Sequence, residues 1–151
     1  MEPDENRSPG VSETSLREWL AALWVLAHIL TVANLLIASL VIGGMSLKEM
    51  TTIGGIVVPL MAANTTLVVR HFVKHRHRAK DKGKTLNMPF VVIAIAFPAA
   101  LFVYLTVAIY MFAFQRINNI ETLKALVAFG EISFGVYAGM VFADLLTKEP
   151  K

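Results

Sequence analysis

Glu131 stands in the run "AFGEISFGVYAGMVFADLL", with no other acidic residue between Glu121 and Asp144, in a stretch otherwise composed for lipid. A carboxyl group in such a place binds a proton or ion, or bonds to a polar group on another helix. The polar groups that could share this work are His28 and Asn34 in the first apolar block and Asn64 and Thr65 in the second. A lone histidine in a membrane helix most often makes an interhelical hydrogen bond, with a pore-lining or proton-linked role as the alternative. Glu131 therefore has three readings. It is a structural bond to His28, Asn34 or a helix-two hydroxyl, part of an ion or proton path, or a contact with a partner protein.

The second group of chemistry-bearing residues is "VVRHFVKHRHRAKDKGK", residues 68–84. It holds Arg70, Lys74, Arg76, Arg78, Lys80, Lys82 and Lys84 together with His71, His75 and His77. His71 and His75 are four apart and share a helix face. Asp81 is the only carboxylate near enough to complete a metal site, and the surrounding positive charge opposes a cation, so no metal is expected. Apart from Phe72 no aromatic is interleaved, which argues against nucleic acid. Anionic lipid headgroups suit the run better, since long basic side chains reach up to them from a helix end.

These residues must be positioned by long apolar segments. Of 151 residues 56% are hydrophobic and 17% charged, against about 25% charged in soluble chains. The apolar residues fall in four blocks, near 20–44, 50–69, 88–114 and 123–146. A membrane helix needs about 20 mainly apolar residues. The first and third blocks meet this easily, the second is marginal, and the fourth needs shelter for Glu131. A soluble four-helix bundle would require polar faces that the first and third blocks lack.

The expected fold is all-α, a polytopic membrane protein with helices near 19–44, 50–74, 88–115 and 121–147, arranged as two antiparallel hairpins joined by a basic cytoplasmic loop. Polar tails at 1–18 and 148–151 flank this transmembrane domain. The N-terminal tail is acidic, and neither a secretory signal nor a transit peptide is expected. Four passes place eleven Lys/Arg on the side of the termini and three, Lys48, Arg116 and Lys124, on the other. The positive-inside rule then makes both termini cytoplasmic, and a bacterial inner membrane is the expected location.

Within the passes, Ser15 with Glu18 suggests a capping box, and Trp19 and Trp24 an interfacial aromatic pair. Gly54 and Gly55 in helix two, and Gly135, Gly139 and Ala143 in helix four, allow close helix packing. Counting back from Leu146, Glu131 falls about 22 Å along the helix, in the outer half of the membrane. Pro59 and Pro98 suggest bends.

No phosphate loop, zinc-protease motif or nucleophile–base set is present, so neither an enzyme nor a cofactor is expected. The leading reading is a small integral subunit that assembles through polar and small-residue helix faces, with itself or with a partner, in an anchoring, sensing or accessory role. The alternative is a homo-oligomeric ion channel or membrane-permeabilising pore with Glu131 and helix two near the conduction path.

Overall fold

The computed structural model describes residues 11–75 and 86–147. Four long helices dominate: α1 (Glu13–Leu36), α2 (Leu47–His75), α3 (Met88–Ala113) and α4 (Ile120–Thr147). Among the described residues, Glu18–Val41, Met88–Ala113 and Ile120–Met140 are long and apolar enough to cross a membrane. The chain is therefore an all-helical integral membrane protein with several candidate spans.

Local chemistry fixes the helix ends. Ser12, not Ser15, caps α1: its extended backbone turns into the helix and its hydroxyl accepts from the Ser15 amide at 3.2 Å. At the other end α1 loosens into a π-helical turn, Ile37–Val41, where the Ile42 amide reaches back to the Ile37 carbonyl at 3.0 Å. Gly43 then takes a left-handed φ of 71°, a conformation glycine adopts without steric cost.

The capping box sits at the start of α2 instead. The Glu49 carboxylate accepts from the Ser46 hydroxyl at 2.7 Å and amide at 2.8 Å, while the Glu49 amide donates to that hydroxyl. "SLKE" carries this signature in plain sight. In the first turn of α3, Pro89 forfeits no intrahelical bond. This helix ends in a Schellman turn, with the Arg116 amide on the Met111 carbonyl and the Gln115 amide on that of Phe112. Gln115 occupies the left-handed position, φ 57°, that glycine usually takes. Asn119 caps α4 through the Glu121 amide at 2.9 Å.

The helices pack as a ring in the order α1, α2, α4, α3, each touching the next. Val11 pairs with Leu86 at one end, and Gly44 lies against Ala113 at the other, so α1 and α3 run parallel. The end carrying the α1–α2 and α3–α4 connections is called the turn side, and the opposite end the terminus side.

The core changes along the bundle axis. Toward the turn side all four helices contribute, with Leu35, Ile53, Val57, Ile109, Leu123 and Val127 among the buried residues. At mid-depth Trp24, Ala27, Phe134 and Ala138 join α1 to α4. On the terminus side Leu16 and Leu20 meet Val91 and Ala94 of α3. Past Val57, no described residue of α2 is fully buried. Exposed apolar side chains such as Leu26, Ile29, Val92, Ile93, Val103 and Val136 cover the outside, as a lipid-facing surface requires.

Candidate functional site

His28 and Glu131 meet across the α1–α4 diagonal, inside the bundle. His28 falls within the apolar span Glu18–Val41 and Glu131 within Ile120–Met140. His28 is 3% exposed and Glu131 1%, and Nε2 stands 3.6 Å from Oε2. The pair is boxed by rings. Trp24 stacks nearly parallel to His28 at 5.9 Å, and Phe134 meets both edge-on, at 4.5 Å from Trp24 and 5.1 Å from His28. Trp24 is thus an interior residue, while Trp19 is 71% exposed.

The hydrogen-bond pattern constrains the proton. His28 Nδ1 is 2.9 Å from the Trp24 carbonyl, an acceptor only, so Nδ1 carries a hydrogen. An ionised carboxylate facing the Nε2 lone pair would be repulsive. A proton on either Nε2 or Oε2 would relieve that repulsion, giving a carboxylate against imidazolium or a carboxylic acid against imidazole. Among the described residues neither Glu131 oxygen has a hydrogen-bond donor within reach. Removing His28 would leave that carboxyl alone in an apolar box, which costs far more than the pair does.

Asn34 does not join this pair. Its amide donates to the Thr106 hydroxyl at 3.1 Å, and its carbonyl oxygen accepts from the Tyr110 hydroxyl at 3.2 Å, tying α1 to α3. Thr31, buried one helical turn from each of His28 and Asn34, donates to the Ala27 carbonyl. Tyr110 and Thr106 also line an open groove of about 540 Å³ with Val107, Met111, Phe114 and Arg116. Thr31, Thr106 and Tyr110 were not singled out with the site from sequence. The three-residue spacing of 28, 31 and 34 is the signal that could have found the first.

The remaining candidates lie elsewhere. Thr65 is half-buried on α2, away from the pair. A Cβ built on Gly54, Gly55, Gly135 or Gly139 meets nothing within 4 Å, so these glycines support no close contact among the described residues. Two other glycines do. At Gly44 a Cβ would fall 1.8 Å from the Ala113 carbonyl oxygen, and at Gly130 2.6 Å from a Leu105 methyl. Arg76, Arg78, Lys80, Lys82 and Lys84 lie outside the described residues, as do the side chains of Asn64, Arg70, Lys74 and Ala143. Among the described residues no three His, Cys, Asp or Glu gather as a metal site would require.

The chain matches no family model, no curated protein and no solved structure.

Proposed function

We propose that this protein is a four-pass, non-catalytic membrane subunit that docks a partner helix, from a second copy or another protein, against α2 and the glycine face of α4. The observation that carries this reading is the open space at Gly54, Gly55, Gly135 and Gly139. Small residues that let backbones approach are useful where a helix comes close, and none of this chain's own helices does so there. Beyond Val57, α2 leaves Pro59, Ala62, Ala63 and Thr66 exposed, with Thr66 satisfied by the Ala62 carbonyl of its own helix. This stretch is short of lipid-like side chains and rich in small ones, the composition of a helix that is covered by protein.

Several features support the fourth pass and the orientation. With 29 residues, α2 has about 43 Å of rise, more than the hydrocarbon layer needs. Four passes set both termini and the basic run on one side, cytoplasmic by the positive-inside rule, in a bacterial inner membrane with anionic lipid beneath the run. Glu131 faces its own bundle interior, so a pore formed between copies would not be lined by it. That placement favours the subunit over the channel.

The test uses the absence of native cysteine. Single cysteines at Gly139 and Ala63, oxidised in membranes, should give intermolecular cross-links, and one at Ile132 or Val92 should give few. Mass in mild detergent should exceed that of one chain or rise on co-purification with a partner. A monomer with no cross-link from either position sinks the reading. Membrane-impermeant labelling of cysteines at Ser46 and Asn118, set against one near the N-terminus, checks the four-pass topology.

A further inference from the structure

We propose that His28 and Glu131 form a proton-binding site that loads from the turn side through the column Tyr110, Asn34 and Thr31. The proposal rests on the membrane-spanning reading, and not on whether the chain assembles.

Two observations carry it. The first is the site: two ionisable groups buried at mid-depth, 3.6 Å apart, with both carboxyl oxygens lacking a donor among the described residues. With Nδ1–H donated to the Trp24 carbonyl, a pair that holds one further proton, on Oε2 or Nε2, is neutral. A hydronium ion can give it a second. That proton bonds to whichever of Oε2 or Nε2 lacks one, a water molecule leaves, and the product is a carboxylic acid beside an imidazolium, with a charge of plus one. Release to water reverses the step.

The second observation is the asymmetry of the surroundings. Toward the turn side, polar groups recur one helical turn apart on α1, from His28 to Thr31 to Asn34, about 9 Å of rise in all. Thr31 donates backward to Ala27, which leaves its oxygen free to accept. Asn34 bonds Thr106 and Tyr110, and these two line the open groove that reaches Arg116. Toward the terminus side the pair meets Trp24, Phe134 and Ala138, with Leu101 and Phe102 packed on them. Among these neighbours the Tyr137 hydroxyl donates its proton to the Ala94 carbonyl.

Among the described residues no other charge competes at the pair. His28, Thr31 and Glu131 are the only buried polar residues among those described. The sequence of α3 holds no charged residue, and its titratable groups are Tyr104, bonded to the Leu126 carbonyl, and Tyr110. Between Glu49 and Arg70, α2 has none at all. On α4, Glu121 and Lys124 pair with each other at the exposed turn end, and Arg116 sits at the groove mouth.

Trp24 is the built-in reporter, because an imidazolium stacked on indole quenches its fluorescence. The chain has two tryptophans, so Trp19→Phe leaves Trp24 alone. This variant, in phosphatidylcholine–phosphatidylglycerol vesicles, should lose fluorescence on acidification. His28→Gln should abolish the change. Infrared difference spectra of the unsubstituted protein should show a carboxyl band that is missing in Glu131→Gln. In stopped-flow pH jumps, Asn34→Leu with Tyr110→Phe should slow the response about tenfold or more while keeping its amplitude.

A Trp24 signal that ignores pH while helicity stays intact overturns the site, and so does a signal that survives His28→Gln. An unchanged rate in the double variant overturns the route. A monomer that still titrates counts against the subunit reading alone.

Discussion

The turn-side and terminus-side halves of this bundle are built on different principles. On the turn side four helices share one core, and α2 is anchored there through Ile53 and Val57. On the terminus side the buried residues described belong to α1, α3 and α4. Helix α2 is thus a core element at Ile53 and Val57, while its described side chains from Val58 to Thr66 include none that is fully buried. Pro59, which falls at the change, removes one backbone hydrogen bond and eases a departure from the bundle axis. Apolar burial gives little net drive between helices in lipid, so what holds the turn side is close fit.

Glycine substitutions would break this contrast most sharply. Gly44→Ala drives a methyl into the Ala113 carbonyl and should cost at least about 3 kcal/mol, seen as a large loss of thermal stability in detergent. Gly139→Ala, with nothing within 4 Å, should leave the isolated chain's stability unchanged and weaken only cross-linking between chains. Equal losses at both positions would erase the distinction between a filled and an open glycine.

Next in size come truncations along α2. Ile53→Ala empties a fully buried site and should cost about 2 to 4 kcal/mol, whereas Leu60→Ala, on the exposed half, should cost under about 0.5 kcal/mol in the isolated chain. A third substitution carries the opposite sign. Gln115→Gly relieves a left-handed residue in the Schellman turn and should add about 1 kcal/mol.

The smallest effect is at the turn-side surface. Glu49 is held below the ordinary carboxylate range, first by the Ser46 hydroxyl and then by the Ser46 amide. Its contribution is therefore complete above the unfolded value and fades as pH falls through the lower folded one. Glu49→Gln should flatten that acid-side slope and, because solvent screens the site, shift stability by less than about 0.5 kcal/mol.

Much of the fold was legible because lipid imposes a simple demand. Helices of about 20 apolar residues are what can satisfy every backbone group there, and the runs holding His28, Pro98 and Glu131 declare themselves by length. The Ser46–Glu49 box carries the same three-residue spacing as Ser15–Glu18, and spacing alone does not say which of the two forms. The Schellman turn at Gln115 could not be read, since its usual marker is a glycine that this sequence lacks.

The sequence by itself determined which segments are helices, where polar atoms interrupt them, and that Glu131 needs shelter. Only the tertiary structure decided what shelters it. Asn34 and His28 stand two turns apart on α1 and were equally eligible partners. The ring order of helices turns His28 toward Glu131 and Asn34 toward Thr106 and Tyr110. It likewise decided that Gly44 and Gly130 are filled contacts while Gly135 and Gly139 are open. Periodicity gives a residue's angle about its own helix axis. Which neighbour stands at that angle depends on how four helices pack together, a property of the whole bundle rather than of any one segment.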